Sequence, residues 1–279
     1  MKNLGYYNGE IGLIEEMKIP MNDRACYFGD GVYEATRVTN NIMFFVDQHI
    51  DRLYNNAARI EINIPYPKEK MKETLQGLVE QVDAKEKVLY WQVSRGTATR
   101  KHAFVDGAPN LYATVRELPL TEYKKPVSLV TTPDTRFLHC DIKTINLLLN
   151  VLAAEKAEKA GAYEAVFHRG DRVTECSHSN VSILKDGVFR TAQTDEYILP
   201  GITRAHLLRI CKKLGIPTIE EAFTLEELFD ADEVIVSSST NFCVRATKLD
   251  GIEAGGKDEA LFFRIQDEIY QEYFEIVGV

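Results

Sequence analysis

An α+β protein of two lobes is the fold class this sequence predicts, and three observations carry it. Before residue 118 strand-like runs alternate with one helix, and after it further strands flank further helices. Between the two halves, "ELPLTEYKKP" carries two prolines and several charges and reads as a linker. The length of 279 residues, 45% of them hydrophobic, suits one two-lobed unit or two modest domains with a substantial core. The expected division is a small N-terminal domain over 1–117, a linker over 118–126 and a larger C-terminal domain over 127–279.

Each element has its own signal. "YYNGEIG" looks like a hairpin and "GVYEATRV" like a strand. In "VDQHIDRLYNNAARI" the residues Ile50, Leu53, Ala57 and Ile60 fall on one helical face. "KVLYWQVSRG" and "NLYATVREL" are strands joined by a long loop. Beyond the linker, "KPVSLVTT" and "EAVFHRG" are strands flanking a helix expected to begin near Lys143 and to end at Gly161. The stretch "LPGITRAHLLRICKKLG" sets Gly201, Ile202 and Thr203 before a helix whose Leu207, Ile210, Cys211 and Leu214 repeat at helical spacing. Thr224 with Glu227 three residues on is a capping box.

Composition narrows the function classes. With 33 Lys plus Arg against 42 Asp plus Glu, the net charge of -9 argues against nucleic acid or an anionic membrane as the main partner. The five cysteines, Cys26, Cys140, Cys176, Cys211 and Cys243, are scattered without metal-type spacing, so reduced thiols in a cytoplasmic setting and no metal site are expected. The N-terminus lacks a signal-peptide core and no apolar stretch is long enough to span a bilayer.

The chemistry rests on a few side chains. Lys143 sits in "HCDIKTINLLLN" between an aspartate and an apolar run, although lysine is usually a solvated surface charge. Unpaired amides at the helix start after Gly201, with the Thr203 hydroxyl, can form a phosphate cup, although most such starts are simply caps. "VIVSSSTNF" ends a buried-type strand in Ser237, Ser238, Ser239 and Thr240, a pattern that commonly marks a turn. Glu175 follows an alternating strand; facing a pyridine nitrogen, its charge would hold that nitrogen protonated. Lysine, acid and phosphate cup are together the minimum equipment of pyridoxal 5'-phosphate chemistry, with Lys143 forming the Schiff base.

Seven segments extend this reading. "NDRACYFGDGVYEATRV", "HIDRLYNNA", "RGTATRKHAF", "DIKTINLL", "YEAVFHRGDRVTECSHSNV", "ILPGITR" and "VIVSSST" occur in this order. From Tyr7 to about residue 250 the chain resembles the fold type IV (branched-chain aminotransferase-like) pyridoxal-phosphate enzymes, and among them the D-amino acid transaminases. The resemblance implies a two-domain fold type IV architecture and transamination between a D-amino acid such as D-alanine and a 2-oxo acid such as 2-oxoglutarate. It assigns the Schiff base to Lys143, the pyridine nitrogen to Glu175, the phosphate to Arg52, Ile202, Thr203, Ser238 and Ser239, and the ring face to Leu199. It gives Tyr33, Arg100 and His102 the substrate carboxylate, with Arg100 and His102 reaching over from a neighbouring subunit, so that a homodimer with shared sites is the smallest complete enzyme.

The R-x-H element has a physical reading of its own. Residues two apart in an extended stretch point the same way, and guanidinium takes a carboxylate through two parallel hydrogen bonds beside an imidazole donor. Alternation along "VYEATRV" puts Tyr33, Ala35 and Arg37 on one face, from which Arg37 is expected to bind a second carboxylate, such as the distal one of glutamate. Cys176, His178 and Pro200 depart from the family pattern. Two other readings are an L-branched-chain aminotransferase or aminodeoxychorismate lyase-like enzyme of the same fold, and a cofactor-free binding protein on the scaffold.

Overall fold

The computed structural model describes every residue except Val105, and the chain divides into two compact units. The first comprises 1–119, 142–146 and 276–279; the second comprises 120–141 and 147–275. Both mix helix and sheet, in line with the expected class. Within the span 127–279, expected as one domain, the segment bearing Lys143 and residues 276–279 cluster with the first unit.

In the first unit the strands are β1 (Asn3–Tyr7), β2 (Glu10–Gly12), β3 (Gly31–Thr39), β4 (Ile42–Met43), β5 (Glu86–Ser94) and β6 (Asn110–Glu117). They form one antiparallel sheet in the order β2-β1-β6-β5-β3-β4. Its helices are α1 (Arg24–Phe28), α2 (Val46–Arg59) and α3 (Lys68–Val79). The apolar face of α2, with Ile50, Leu53 and Ala57, packs with Met71, Leu75, Leu78 and Val79 of α3 against Val32, Leu89, Trp91, Ala113 and Val115 of the sheet. α3 and the short α1 were not expected, although Met71, Leu75, Leu78 and Val79 lie at helical spacing.

Buried Lys87 closes the end of α3. Its amine donates to the carbonyls of Val79 and Val82 at 2.8 and 2.7 Å and to Asn41 at 2.5 Å, a cation at the negative end of a helix. Burial pulls its pKa down, so these oxygens make up for lost water.

The second unit holds β7 (Val127–Pro133), α4 (Leu148–Lys159), β8 (Glu164–Arg169), β9 (Arg172–Cys176), β10 (Asn180–Lys185), β11 (Val188–Thr191), α5 (Ile202–Lys213), β12 (Thr218–Glu220), α6 (Leu225–Asp230), β13 (Glu233–Ser237), β14 (Val244–Leu249), β15 (Ile252–Glu253) and most of α7 (Glu259–Val277). Its mixed sheet runs β12-β11-β10-β13-β14-β7-β8-β9, with β15 paired to β14. α4 sets Ala153 and Ala157 on Val130, Ala165 and Phe167. α7, which sequence periodicity did not single out, is anchored by Gln266 donating to the Tyr123 and Cys243 carbonyls. The capping box of α6 is formed as expected.

The helix expected from Lys143 starts instead at Leu148. Residues 142–146 lie alongside β3, bending at Ile142 and Ile145: Thr144 bridges Val32, Tyr33 N–H donates to the Lys143 carbonyl at 3.0 Å and Ile145 N–H to the Gly31 carbonyl at 3.1 Å. β-Branched Ile142, Thr144 and Ile145 suit a place beside a strand. The helix does end at Gly161, whose φ is +65°.

Arg37 also departs from expectation. Alternation puts it on the Tyr33 face, but it is fully buried, and its guanidinium donates to Glu86 at 3.2 Å and to the Leu118 carbonyl at 3.0 Å. A substrate carboxylate cannot reach it without breaking those bonds, so Arg37 is a structural residue. Arg37→Ala should cost roughly 2–4 kcal/mol in urea unfolding, because a buried pair loses one partner, and should leave the ratio of kcat/KM for D-glutamate and D-alanine unchanged. A shifted ratio with intact stability would restore the substrate role.

Candidate active site

Two groups of side chains, one in each unit, hold the residues singled out by sequence. In the first unit the segment beside β3 places Lys143 Nζ 4.1 Å above the centre of the Tyr33 ring. The electron-rich ring face attracts a cationic amine and fixes its direction. Tyr33 in turn stacks on Tyr90, with ring centroids 5.6 Å apart.

One residue along β3, on the opposite face, lies Glu34, which is fully buried. Its carboxylate accepts from Arg52 Nε at 2.7 Å and Nη2 at 2.8 Å, a two-pronged ion pair, and from His49 Nδ1 at 2.7 Å. His49 and Arg52 stand three residues apart on α2, so one helix face delivers both. Burial pushes the Glu34 carboxyl up, but the charge and hydrogen bonds of Arg52, with His49, prevail and bring it down to about 2. Burial lowers the His49 pKa against the pull of Glu34, with the Arg52 and Lys143 charges adding to the lowering. A neutral imidazole still donates one proton to Glu34. Sequence reasoning found Arg52 and missed Glu34 and His49. The signal was available: a carboxylate on the buried parity of β3 and a His-x-x-Arg pair on the helix that packs there.

The R-x-H element is also in this unit, on an exposed loop between β5 and β6. The Arg100 guanidinium lies 5.2 Å from the Phe28 ring centre and the His102 ring 5.3 Å from it. The two side chains therefore share one aromatic neighbour, although the loop bends at Arg100, His102 and Ala103 and does not run extended as expected.

In the second unit Glu175 lies near the end of β9, nearly buried, with both oxygens engaged. Oε1 accepts from Arg136 at 2.5 Å; Oε2 accepts from Asn180 at 3.1 Å and from the Leu199 amide at 2.9 Å. Arg136 also bonds Asp134 through Nε and Nη2 and lies 4.3 Å over the Phe167 ring. Burial opposes its charge, yet the hydrogen bond to Asp134 and the charges of Glu175 and Asp134 outweigh it, and the Arg136 pKa is raised. Arg136 and Asp134 lie in an irregular segment after β7, where no periodicity could have flagged them.

Leu199 is tied to this group through its backbone, since its carbonyl accepts from Asn180 Nδ2 at 3.0 Å. Gly201 follows as the N-cap of α5; a Cβ there would fall 1.9 Å from Asn180 Oδ1, so a larger residue would have to displace the Asn180 side chain. No side chain caps α5, which leaves the first-turn amides at Ile202 and Thr203 facing outward from the helix end. Ser238 Oγ lies 3.3 Å from Thr240 Oγ1 and accepts from the Asn241 amide at 3.2 Å, a hydroxyl turn after β13, with half-buried Ser239 beside it. The departures at Cys176 and His178 are harmless to this geometry: Cys176 is a buried thiol pushed up by burial, and His178 is exposed.

A family model described as Amino-transferase class IV matches residues 31–249. The chain belongs to that family. Tyr33, Arg52, Arg100, His102, Lys143 and Glu175 all fall inside the matched span. The chain is 42% identical to a D-alanine aminotransferase of Listeria monocytogenes over 95% of its own length and 94% of the relative's. A D-alanine aminotransferase of Staphylococcus aureus is 40% identical, covering 97% of each chain. Among solved structures, the branched-chain amino acid aminotransferase from Escherichia coli superposes with a TM-score of 0.88 at 20% identity, covering 97% of this chain and 94% of that one. A T.th. branched-chain amino acid aminotransferase with pyridoxamine 5'-phosphate gives 0.88 at 24% identity, covering 99% and 94%. At that identity these two structures establish the shared fold.

The Glu34 cluster makes stability depend on acid. A carboxylate lowered from 4.5 to about 2 contributes up to about 3 kcal/mol, present above pH 4.5 and lost as the pH falls towards 2. Glu34→Gln should therefore be less stable than the parent at pH 7, with the gap in urea unfolding narrowing below about pH 4.5. An unchanged gap down to the acid limit of folding would remove the ionised carboxylate from this account.

Proposed function

We propose that this class IV aminotransferase moves the amino group of a D-amino acid, with D-alanine as the reference donor, to a 2-oxo acid such as 2-oxoglutarate, giving pyruvate and D-glutamate. The observation that carries the reading is the near-full-length match to D-alanine aminotransferases at about 40% identity. The chemistry of the side chains supports it.

The implied cofactor is pyridoxal 5'-phosphate, and the residues present suit it. It needs an amine, a phosphate cradle and an anion for its pyridine nitrogen. The chain offers Lys143, the uncapped α5 start behind Gly201, and a carboxylate at Glu175 surrounded by donors. When bound, this group supplies an aldehyde that condenses with amines and a ring that withdraws electrons from the substrate Cα.

The remaining work belongs to the protein. Lys143 would hold the cofactor through its amine, and the same amine, when free, is the general base and acid that would move the Cα proton. The Tyr33 ring below Nζ keeps the amine pointed. Glu175, fixed by Arg136, Asn180 and the Leu199 amide, would keep the cofactor's pyridine nitrogen protonated, and Leu199 would line the ring. Arg52, anchored by Glu34, binds phosphate with Ile202, Thr203, Ser238 and Ser239. Tyr33, Arg100 and His102 hold the substrate carboxylate, which turns the Cα hydrogen of the D isomer towards Lys143.

The working assembly is a homodimer in which Arg100 and His102 serve the partner's site. Exposed Leu148, Val151 and Leu152 on α4, at 70%, 59% and 58%, are an apolar strip at helical spacing that a second copy would cover. Five unpaired cysteines suit a reducing, cytoplasmic setting. Among the described residues no helix is long and apolar enough to cross a membrane.

Two measurements test the reading. A panel of D- and L-amino donors with pyruvate and 2-oxoglutarate should favour D donors by about a hundredfold or more in kcat/KM, with ping-pong kinetics; Lys143→Ala should lose both activity and the cofactor absorbance that borohydride bleaches. Preference for L-branched-chain donors would assign the relative with L selectivity, and a chain that never takes up the cofactor would be a binding protein. For the shared site, Lys143→Ala and Arg100→Ala chains are each impaired alone, but mixed dimers carry one intact site. Activity recovered on mixing supports the exchange of Arg100; none recovered places Arg100 in its own subunit's site.

A further inference from the structure

The side chains proposed to hold the substrate carboxylate sit on a loop with little apolar anchorage. Arg100, Lys101, His102, Ala103 and Phe104 are all exposed. Something else must fix where Arg100 and His102 point, because a carboxylate held through short directional bonds tolerates little wander.

The base of the loop is pinned first. Asp23, fully buried, accepts from Ser94 Oγ at 3.0 Å, Asn110 Nδ2 at 2.6 Å and the Tyr112 hydroxyl at 2.6 Å, joining the end of β5 to the start of β6. Gly96 has φ +110° and approaches so closely that an added Cβ would lie 2.2 Å from the Ala108 carbonyl oxygen.

Beyond the base, one buried side chain reaches the tip. Arg24 is 3% exposed. Its Nε donates to Asp30 at 2.7 Å, and its Nη1 donates to the Lys101 carbonyl at 2.6 Å. Longer contacts run to the carbonyls of Ala103 at 3.5 Å and His102 at 3.4 Å, so the Lys101 bond carries most of the restraint. The same guanidinium lies 4.8 Å from the Phe28 ring centre, the ring that Arg100 and His102 flank. Asp30 also takes Arg95 Nε at 2.8 Å, and Arg95 lies 3.6 Å over the Phe104 ring.

We infer that Arg24 is a positioning residue for substrate recognition: by bonding the backbone between Arg100 and His102 while anchored on Asp30, it sets the two side chains that bind the substrate carboxylate. This deepens the function proposed above and rests on Arg100 and His102 having that role. Arg24 touches no substrate and acts through the loop.

The test uses the cofactor-loaded enzyme. Arg24→Met keeps the length and apolar packing and removes the donors. KM for D-alanine and for 2-oxoglutarate should rise by about tenfold to a hundredfold, with kcat and the cofactor absorbance changed little. Trypsin should cleave after Arg100 and Lys101 faster than in the parent, read by mass spectrometry on the intact fold. Arg24→Lys, which keeps the charge but cannot bond Asp30 and the loop in a fork, should fall between the two; if Arg24→Met does not fold, both readouts are taken on Arg24→Lys. Arg100→Ala separates the two failures. If it raises KM while the Arg24 variants keep parental KM and parental cleavage, Arg24 is not a positioning residue. If Arg100→Ala leaves KM unchanged, the carboxylate role itself is wrong and the inference falls with it.

Discussion

Two backbone hydrogen bonds, Tyr33 N–H to the Lys143 carbonyl and Ile145 N–H to the Gly31 carbonyl, are the constraint on which the rest of the first unit's chemistry depends. They fasten residues 142–146 to β3 although the chain on either side of them belongs to the second unit. A lysine on a long flexible stem loses side-chain freedom when it is held, and a loop would offer it no fixed origin. Fastening its backbone to a nine-residue strand supplies that origin, and the Tyr33 ring then limits the amine to one direction.

β3 serves two ends through its alternation. Tyr33 and Ala35 are half-buried on one face, while Glu34 and Thr36 are fully buried on the other. An ionised carboxylate at Glu34 would be expelled from an apolar interior if it stood alone. Arg52 and His49 reverse the balance, which the lowering to about 2 records. The cluster is therefore conditional: strong while all three members are present, and costly to the fold when one is lost. Its benefit is that Arg52 leaves the core at a set angle rather than as a free chain end.

The sequence made parts of this legible for identifiable reasons. Lys143, Glu175 and the hydroxyl-rich ends after Leu199 and Val236 were each bland alone; their combination pointed to a cofactor, and the resemblance to a known family assigned the roles. What alternation could not say was what covers a face. Arg37 shares the parity of Tyr33, yet the Leu118 carbonyl and Glu86 close over it. The apolar run after Lys143 suggested an earlier helix start, because periodicity does not reveal that the Lys143 carbonyl and the Ile145 amide bond to β3. Arg136 had no periodic signal: Asp134 lies two residues before it in an irregular segment, and Glu175 meets it only through the fold.

Arginine fills these buried positions for a reason that separates it from lysine. Arg24, Arg52 and Arg136 each bond in at least two directions within one plane, to Asp30 and Lys101, to both Glu34 oxygens, and to Asp134 and Glu175. A lysine ammonium is a point charge and would satisfy one partner while leaving the other without a donor. Buried Lys87 shows the complementary case, since its three acceptors surround a single nitrogen. Arg100 differs from all of these in being exposed, with the Phe28 ring as its neighbour. The buried Arg24 guanidinium lies 4.8 Å from the centre of that same ring, so one aromatic side chain neighbours a buried and an exposed arginine, and such a ring face attracts a cation without using up its in-plane donors.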